Sequence, residues 1–538
     1  MRKFGENRII AAAGTFFVMF SGMAARYYML AEAPESSDIP VQTAAESRYM
    51  TINVRESQGT IYDRNMVPLV NSETEYVAAA VPELLEMEET AQYAVDKESF
   101  CRKFSTGEPF TFVCTENAPD MPGLTVFEMP VRYTADQPAQ HIIGYISDDS
   151  GVSGIEYAYD PVLRGGACEN SVTYSIDGQG HVLLGSGKSV VRSRKQDTGI
   201  VTTIDIRIQR ICEENGAALK KGAVVVTDIS DGDILAMASF PEYSWDDIGA
   251  ALESEDSPLI DRALYSYSVG SVFKLVTACE AINEGWEGNI YTCDGSIDVY
   301  GQQFNCHKAD GHGMQTMTEA VVNSCNTYFI SLSGVLDPAA FRELAHTLGF
   351  GKENYLCAGM TGSAGVLPSE RELLVPAEFA NFSFGQGRLT ATPLQIGQLS
   401  AAIANGGEMP ILRLIKGITI DGETVGGEKL PVRTRVMDEE TAGKLRDMMT
   451  AAVSDNKGSN ARIRGKKIAA KTSTAQTGRF DGSGEELCHG WITGFFPADA
   501  PEYAVTVLAE DGGYGNEAAA PVFREIVRQI AELDKEKQ

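Results

Sequence analysis

The stretch Tyr267-Ser268-Val269-Gly270-Ser271-Val272-Phe273-Lys274-Leu275-Val276-Thr277-Ala278 decides the reading of this chain. Ser271 and Lys274 stand three apart in it. Residues i and i+3 of a helix share a face, so the spacing predicts a lysine amine near a serine hydroxyl. Gly270 suits a tight turn into that helix, and a serine at its N-terminus gains from the positive end of the dipole. A serine hydroxyl is a weak nucleophile until a base takes its proton. Lysine serves as that base only when burial or a second cation lowers its pKa. Alone, the Ser-x-x-Lys spacing carries little weight, because a capping serine and a surface lysine produce it equally well.

Two further segments change the balance. Ala320-Val321-Val322-Asn323-Ser324-Cys325-Asn326-Thr327-Tyr328-Phe329 offers Ser324, a hydroxyl able to relay a proton. It also offers Asn326, whose amide can hold a substrate carbonyl or orient a lysine. Lys471-Thr472-Ser473-Thr474 follows Ile468-Ala469-Ala470 on a predicted strand. It supplies a cation, hydroxyls and a backbone edge against which an extended peptide can pair. An oxyanion hole needs two preorganised donors. The backbone amides of Ser271 and Thr474 are the candidates.

The rest of the chain frames these segments. Its 538 residues predict two or three domains. The net charge of -29 argues against nucleic acid as a partner, since phosphate binding needs clustered positive charge. An anionic substrate must therefore meet a local cation. The ten cysteines form no Cys-x-x-Cys pair, which disfavours zinc ribbons and thioredoxin-like sites. Cys293 and Cys306 are candidates for a bridge if the domain is exported. Cys306-His307 with His312 is too small a ligand set for zinc, so a polar loop is the expected reading and no metal is assigned.

At the N-terminus, Arg2, Lys3 and Arg8 precede an apolar run from Ile9 to Ala25, continued by Tyr27, Tyr28, Met29 and Leu30. The expectation is a cytoplasmic tail over 1–8, a transmembrane anchor over 9–30 and everything after it outside the cytoplasm. The rival is a signal peptide cleaved at Ala31-Glu32-Ala33. Residues 31–46 read as a linker. Residues 47–200 mix short strands, turns and a Glu-rich helical stretch near Pro82 to Val95, an α+β domain with no evident chemistry.

The second domain is expected over 201–538. It begins with a helix from Ile208 to Leu219 and a buried hairpin from Lys221 to Ser239. Strands return at Lys467–Thr474, Gly490–Phe496 and Tyr503–Leu508, and a helix ends the domain at Ala520–Leu533. Strands at both ends with helices between predict an antiparallel sheet closed by the two ends of the domain, with a helical cluster against it.

The order Ser271/Lys274, Ser324/Asn326, Lys471-Thr472-Ser473 resembles the S-x-x-K, S-x-N and K-T-G signatures of penicillin-binding proteins and serine β-lactamases. Gly59 to Asn65, His141-Ile142-Ile143-Gly144-Tyr145 and Gly151-Val152-Ser153-Gly154-Ile155-Glu156 look like segments of the N-terminal pedestal of class B penicillin-binding proteins. Thr203-Ile204-Asp205, Arg262-Ala263, Gly385-Gln386-Gly387, Thr392-Pro393-Leu394-Gln395 and Ala404-Asn405-Gly406-Gly407 look like transpeptidase landmarks. Two positions depart from the pattern. Ser473 stands where glycine is usual, which predicts a narrowed cleft or altered β-lactam affinity. Gln58 replaces an arginine.

The resemblance implies an α+β penicillin-binding transpeptidase domain, a pedestal over 47–200 and a membrane anchor. It implies acylation of Ser271 by peptidoglycan stem peptides or β-lactams, with Lys274 as base and Ser324 as relay. Asn326 would hold the acyl amide, and Lys471 and Thr472 the substrate carboxylate. It implies no metal or organic cofactor, and a membrane-embedded glycan polymerase as partner. A D,D-carboxypeptidase or β-lactamase, and a non-enzymatic β-lactam sensor or scaffold, are the alternatives.

Overall fold

In the computed structural model the hairpin forms as β1 (Gly222–Asp228) and β2 (Ile234–Phe240), antiparallel with Val225 opposite Met237. The structure describes residues 19–23, 26, 49–55, 57–165, 168–183, 188–194, 198–426 and 432–536. The hairpin turn is built by its own side chains: Asp228 accepts from the Ser230 amide and Asp231 from the Asp233 amide. Gly232 takes a φ of +79°, and a Cβ there would sit 2.3 Å from the Ile411 carbonyl oxygen.

The sheet is completed by β3 (Ala469–Phe480), β4 (Glu486–Phe496) and β5 (Tyr503–Ala509), in the order β2-β1-β5-β4-β3. All neighbours are antiparallel, and β3 is an edge strand. Six helices matter for the site: α1 (Ile206–Gly216), α2 (Lys274–Asn283), α3 (Met317–Val322), α4 (Asn326–Leu332), α5 (Pro393–Ala404) and α6 (Gly515–Glu536). On one face Val224, Ile492 and Val507 pack with Phe523 and Ile526 of α6 and Ile208 of α1. On the other, Trp491, Phe495 and Leu508 pack with α2 to α5. Covering on both faces explains why β1, β2 and β5 read as continuous apolar runs. Every residue of α5 is buried. β3 and β4 extend beyond their predicted ends, because the hairpin joining them runs on into exposed polar residues that carry no apolar signal.

The chain divides into two compact units. The smaller comprises 1–56, 75–129 and 169–193. It holds a sheet of Tyr49–Asn53, Cys168–Ser175 and Lys188–Arg194, and another with Glu73–Ala80 between Phe110–Cys114 and Leu124–Val131. The Glu-rich stretch forms only a 3-10 turn, Pro82–Leu84, and a short helix, Met87–Ala91. Phe100, Phe110 and Phe112 form its aromatic core. The tail and linker expected over 1–8 and 31–46, and most of the anchor over 9–30, lie outside the described residues. Among the described residues no helix is long and apolar enough to cross a membrane.

The larger unit takes in 57–74, 130–168 and 194–538, so the stretch 47–200 is shared between both units. The segments around Gly59, Gly144 and Glu156 meet within the larger one. Arg132 donates to both Glu156 oxygens, at 2.8 and 2.6 Å, and to the Gly59 carbonyl at 2.6 Å. Tyr133 donates to the same carboxylate at 2.9 Å. Gly144 and Gly154 let two backbones touch: a Cβ on Gly144 would sit 1.9 Å from the Ser153 carbonyl oxygen. Glu156 is fully buried, so Glu156→Ala leaves the Arg132 guanidinium without its counter-ion. The expected loss is about 3–5 kcal/mol. The chain's three tryptophans all lie in the larger unit, so denaturant unfolding followed by their fluorescence measures it. A loss below about 1 kcal/mol contradicts the assignment.

Candidate active site

Ser271 lies in a 3-10 turn, Gly270–Phe273, that runs directly into α2 at Lys274. Three hydrogen bonds fix the backbone just before it. The Trp491 indole on β4 donates to the Ser268 carbonyl at 2.9 Å, and the Ser473 hydroxyl on β3 donates to the Val269 carbonyl at 2.8 Å. The Gly270 amide donates to the Gly385 carbonyl at 2.8 Å. Gly270 has a φ of +64°, and a Cβ there would lie 2.4 Å from the Ser473 hydroxyl. One on Gly385 would lie 2.0 Å from the Gly270 carbonyl oxygen. Only glycines fit this contact between the Ser271 turn, the edge strand and the Gly385 loop.

Lys274 is fully buried. Its Nζ donates to the Ser324 carbonyl and to Asn326 Oδ1, both at 2.7 Å, with a longer contact of 3.4 Å to Ser324 Oγ. Burial, reinforced by the Lys471 cation, holds its pKa well below the usual lysine range. A neutral amine has two N–H bonds and one lone pair. The two short bonds satisfy both donors and leave the lone pair free. Among the described residues no hydrogen bond joins Lys274 Nζ to Ser271 Oγ.

Lys471 is also buried. Its Nζ donates to the Thr472 carbonyl at 2.8 Å and to Ser324 Oγ at 3.1 Å. Burial pulls its pKa down to about 7. Ser324 therefore stands between the two amines. It occupies the turn between α3 and α4 with a φ of +51°, an uncommon conformation for serine that directs its hydroxyl and carbonyl to the lysines. The Asn326 carbonyl orients Lys274, and its NH2 makes only a 3.4 Å contact to the Asn305 carbonyl.

Along β3 side chains alternate between faces. Lys471, Ser473 and Ala475 point toward α2, where Lys471 meets Ser324 and Ser473 meets Val269. Thr472 and Thr474 belong to the other face, and the Thr474 hydroxyl accepts from the Gly515 amide of α6 at 3.3 Å. Ser473 departs from its expected role. Its side chain is 3% exposed and committed to the Val269 carbonyl, so it neither lines nor narrows the cleft. Strand alternation carried this signal: Ser473 shares a face with Lys471. Trp491 and its bond to Ser268 had no sequence signal, because indole partners depend on tertiary packing.

The three segments thus converge on a serine-lysine centre of the acyl-transfer type, at the edge of an antiparallel sheet. The description "Penicillin binding protein transpeptidase domain" matches residues 222–528, and the chain belongs to that family, in its class B branch. It is 30% identical over 431 residues to stage V sporulation protein D of Bacillus subtilis (strain 168), covering 76% of this chain and 65% of that protein. It is 26% identical over 614 residues to the peptidoglycan D,D-transpeptidase MrdA of Acinetobacter baumannii, covering 96% and 87%. A solved structure described as coordination of polymerization and crosslinking by a peptidoglycan synthase complex matches with a TM-score of 0.67 and 25% identity, covering 97% of each chain.

Ser473→Gly removes the donor that the buried Val269 carbonyl uses. The expected result is a stability loss of about 1–3 kcal/mol, with slower penicillin acylation as the nucleophile turn loosens. Denaturant unfolding and stopped-flow acylation measure both. Unchanged stability together with an unchanged acylation rate contradicts the pinning.

Proposed function

We infer that this chain is a serine D,D-transpeptidase that cross-links peptidoglycan stem peptides through an acyl-enzyme on Ser271 and is acylated by β-lactams. The observation that carries the reading is the buried Lys274 amine, with two acceptors at 2.7 Å and a depressed pKa, one residue beyond the Ser271 turn. Ser271 Oγ attacks the carbonyl carbon of the penultimate D-Ala, and its proton passes to Lys274 Nζ. The oxyanion forms against the Ser271 and Thr474 amides. The C–N bond to the terminal D-Ala breaks, and the leaving amine takes a proton through Ser324. An acceptor amine from a neighbouring stem then attacks the ester and frees Ser271.

Lys471 meets the terminal carboxylate, whereas the Thr472 side chain, on the opposite face of β3, does not share that role. A cation there is how a chain of net charge -29 holds an anion. The Asn326 NH2 receives the acyl amide carbonyl. The anchor over 9–30 holds the chain in the cell membrane with the catalytic unit outside, beside a membrane-embedded glycan polymerase. The likeness to the synthase-complex structure supports that partner.

Fluorescent penicillin should label the wild type and not Ser271→Ala, and labelling that persists in the variant defeats the reading. The second-order acylation rate should be bell-shaped in pH. As pH falls, Lys274 takes a proton and loses its lone pair, so the rate declines on the acid side. As pH rises past about 7, Lys471 loses its proton and with it the cation for the substrate carboxylate, so the rate declines again. The two amines share Ser324, so the limbs belong to the pair. A rate that is flat from about pH 5 to about pH 9 contradicts the lysine assignments.

A further inference from the structure

The Ser324/Asn326 turn rests on a second cluster. Cys325, between them, is fully buried at the start of α4. Its Sγ lies 3.9 Å from Cys306 Sγ. Cys306 Sγ lies 3.5 Å from His312 Nδ1, and Cys293 Sγ lies 3.6 Å from the same nitrogen. The four ligand atoms all fall within 4.8 Å of one another. A tetrahedral zinc ion has Zn–S bonds of about 2.3 Å and Zn–N bonds of about 2.0 Å. Tetrahedral angles then separate two sulfurs by about 3.8 Å, and a sulfur from a nitrogen by about 3.5 Å. The Cys306–Cys325, Cys306–His312 and Cys293–His312 spacings match these edges, and the remaining pairs lie within 4.8 Å. The 3.9 Å between Cys306 and Cys325 is too long for a disulfide, whose S–S bond is about 2.0 Å.

The backbone is built for the cluster. Cys293 ends the strand Tyr291–Cys293, which pairs with Gly313–Gln315 just after His312. Cys306 follows the hairpin Ser296–Val299 and Gln302–Asn305, and its amide donates to the Gly295 carbonyl at 2.8 Å. Gly295 and Gly311 both take positive φ, and a Cβ on Gly311 would lie 2.0 Å from the Cys293 carbonyl oxygen. The two loops therefore press together, as ligand loops around one ion do. The sequence showed Cys306, His307 and His312 as an incomplete set. The fold adds Cys293 and Cys325 from other elements and leaves His307 out of the four.

We propose that Cys293, Cys306, His312 and Cys325 bind one zinc ion in a closed, structural Cys3His site. Three thiolates and an imidazole in tetrahedral array select zinc over hard cations such as magnesium or calcium. The ion has no open position for substrate. It ties the turn holding Ser324 and Asn326 to the hairpin around Cys293 and Cys306, and so positions the partners of Lys274 without touching substrate.

The test uses the full chain, purified under reducing conditions and freed of metal, with Co2+ as probe. One equivalent should give the visible bands of tetrahedral cobalt and a thiolate charge-transfer band, both abolished by one equivalent of Zn2+. Cys293→Ser should weaken cobalt binding by about 100-fold or more, while Cys488→Ser, at a cysteine outside the cluster, keeps the wild-type spectrum. Should Cys293→Ser fail to fold, the wild type still decides: freshly isolated protein should carry one zinc per chain by elemental analysis, and its thermal midpoint should rise when zinc is restored. Absence of stoichiometric zinc and cobalt binding in the wild type overturns the proposal. So does a disulfide among Cys293, Cys306 and Cys325 in freshly isolated protein, or a cobalt spectrum unchanged in folded Cys293→Ser. None of these readouts depends on transpeptidase activity.

Discussion

The backbone from Ser268 to Gly270 is held against the sheet by side chains of two strands, and the site depends on that hold. Trp491 of β4 and Ser473 of β3 donate to successive carbonyls, and the Gly385 carbonyl takes the Gly270 amide. The bonds fix where α2 begins, and so where Ser271 and Lys274 stand relative to the edge of β3. A hydrogen bond of this kind contributes only about 1 kcal/mol net. Its importance here is geometric: catalysis by preorganised donors loses its advantage when the donors and the nucleophile move independently.

The second constraint is electrostatic. Two lysines are buried beside a single serine hydroxyl, in a protein with a large excess of acidic residues. Burial and mutual repulsion oppose two ammonium groups so close, and the cheapest arrangement leaves one amine neutral. Lys274, fully buried beside the Lys471 cation, has its pKa held well below the usual lysine range. On the proposed mechanism this lowered pKa lets a residue that is ordinarily an acid serve as the base.

Much of this was legible in the sequence, and the parts that were not have physical reasons. The three signature segments announced the chemistry because each pairs a nucleophile, base or cation with the local geometry it needs. The hairpin at β1 and β2 was readable because a turn of Asp and Gly interrupts two apolar runs. The direction of Ser473 followed from strand alternation, yet glycine's usual presence there drew attention to the cleft and away from the packing beneath. The segments at Gly59 and Glu156 looked like parts of a separate domain; the Arg132 fork ties them to each other, and contacts such as Ala139 to Glu213 of α1 and Arg64 to Ile204 place them in the larger unit. The sulfur cluster was hidden because its ligands arrive on a strand end, a hairpin, a loop and a helix start, with spacings set by tertiary structure.

A crystal structure of the full chain acylated by a β-lactam tests the central claim most directly, because it places the reacting carbonyl against this framework. The account predicts an ester on Ser271 Oγ, its carbonyl oxygen within hydrogen-bonding distance of both the Ser271 and Thr474 amides, and the Ser473 hydroxyl still on Val269. An ester on another residue, or a carbonyl oxygen turned away from β3 with the nucleophile turn displaced, would contradict it.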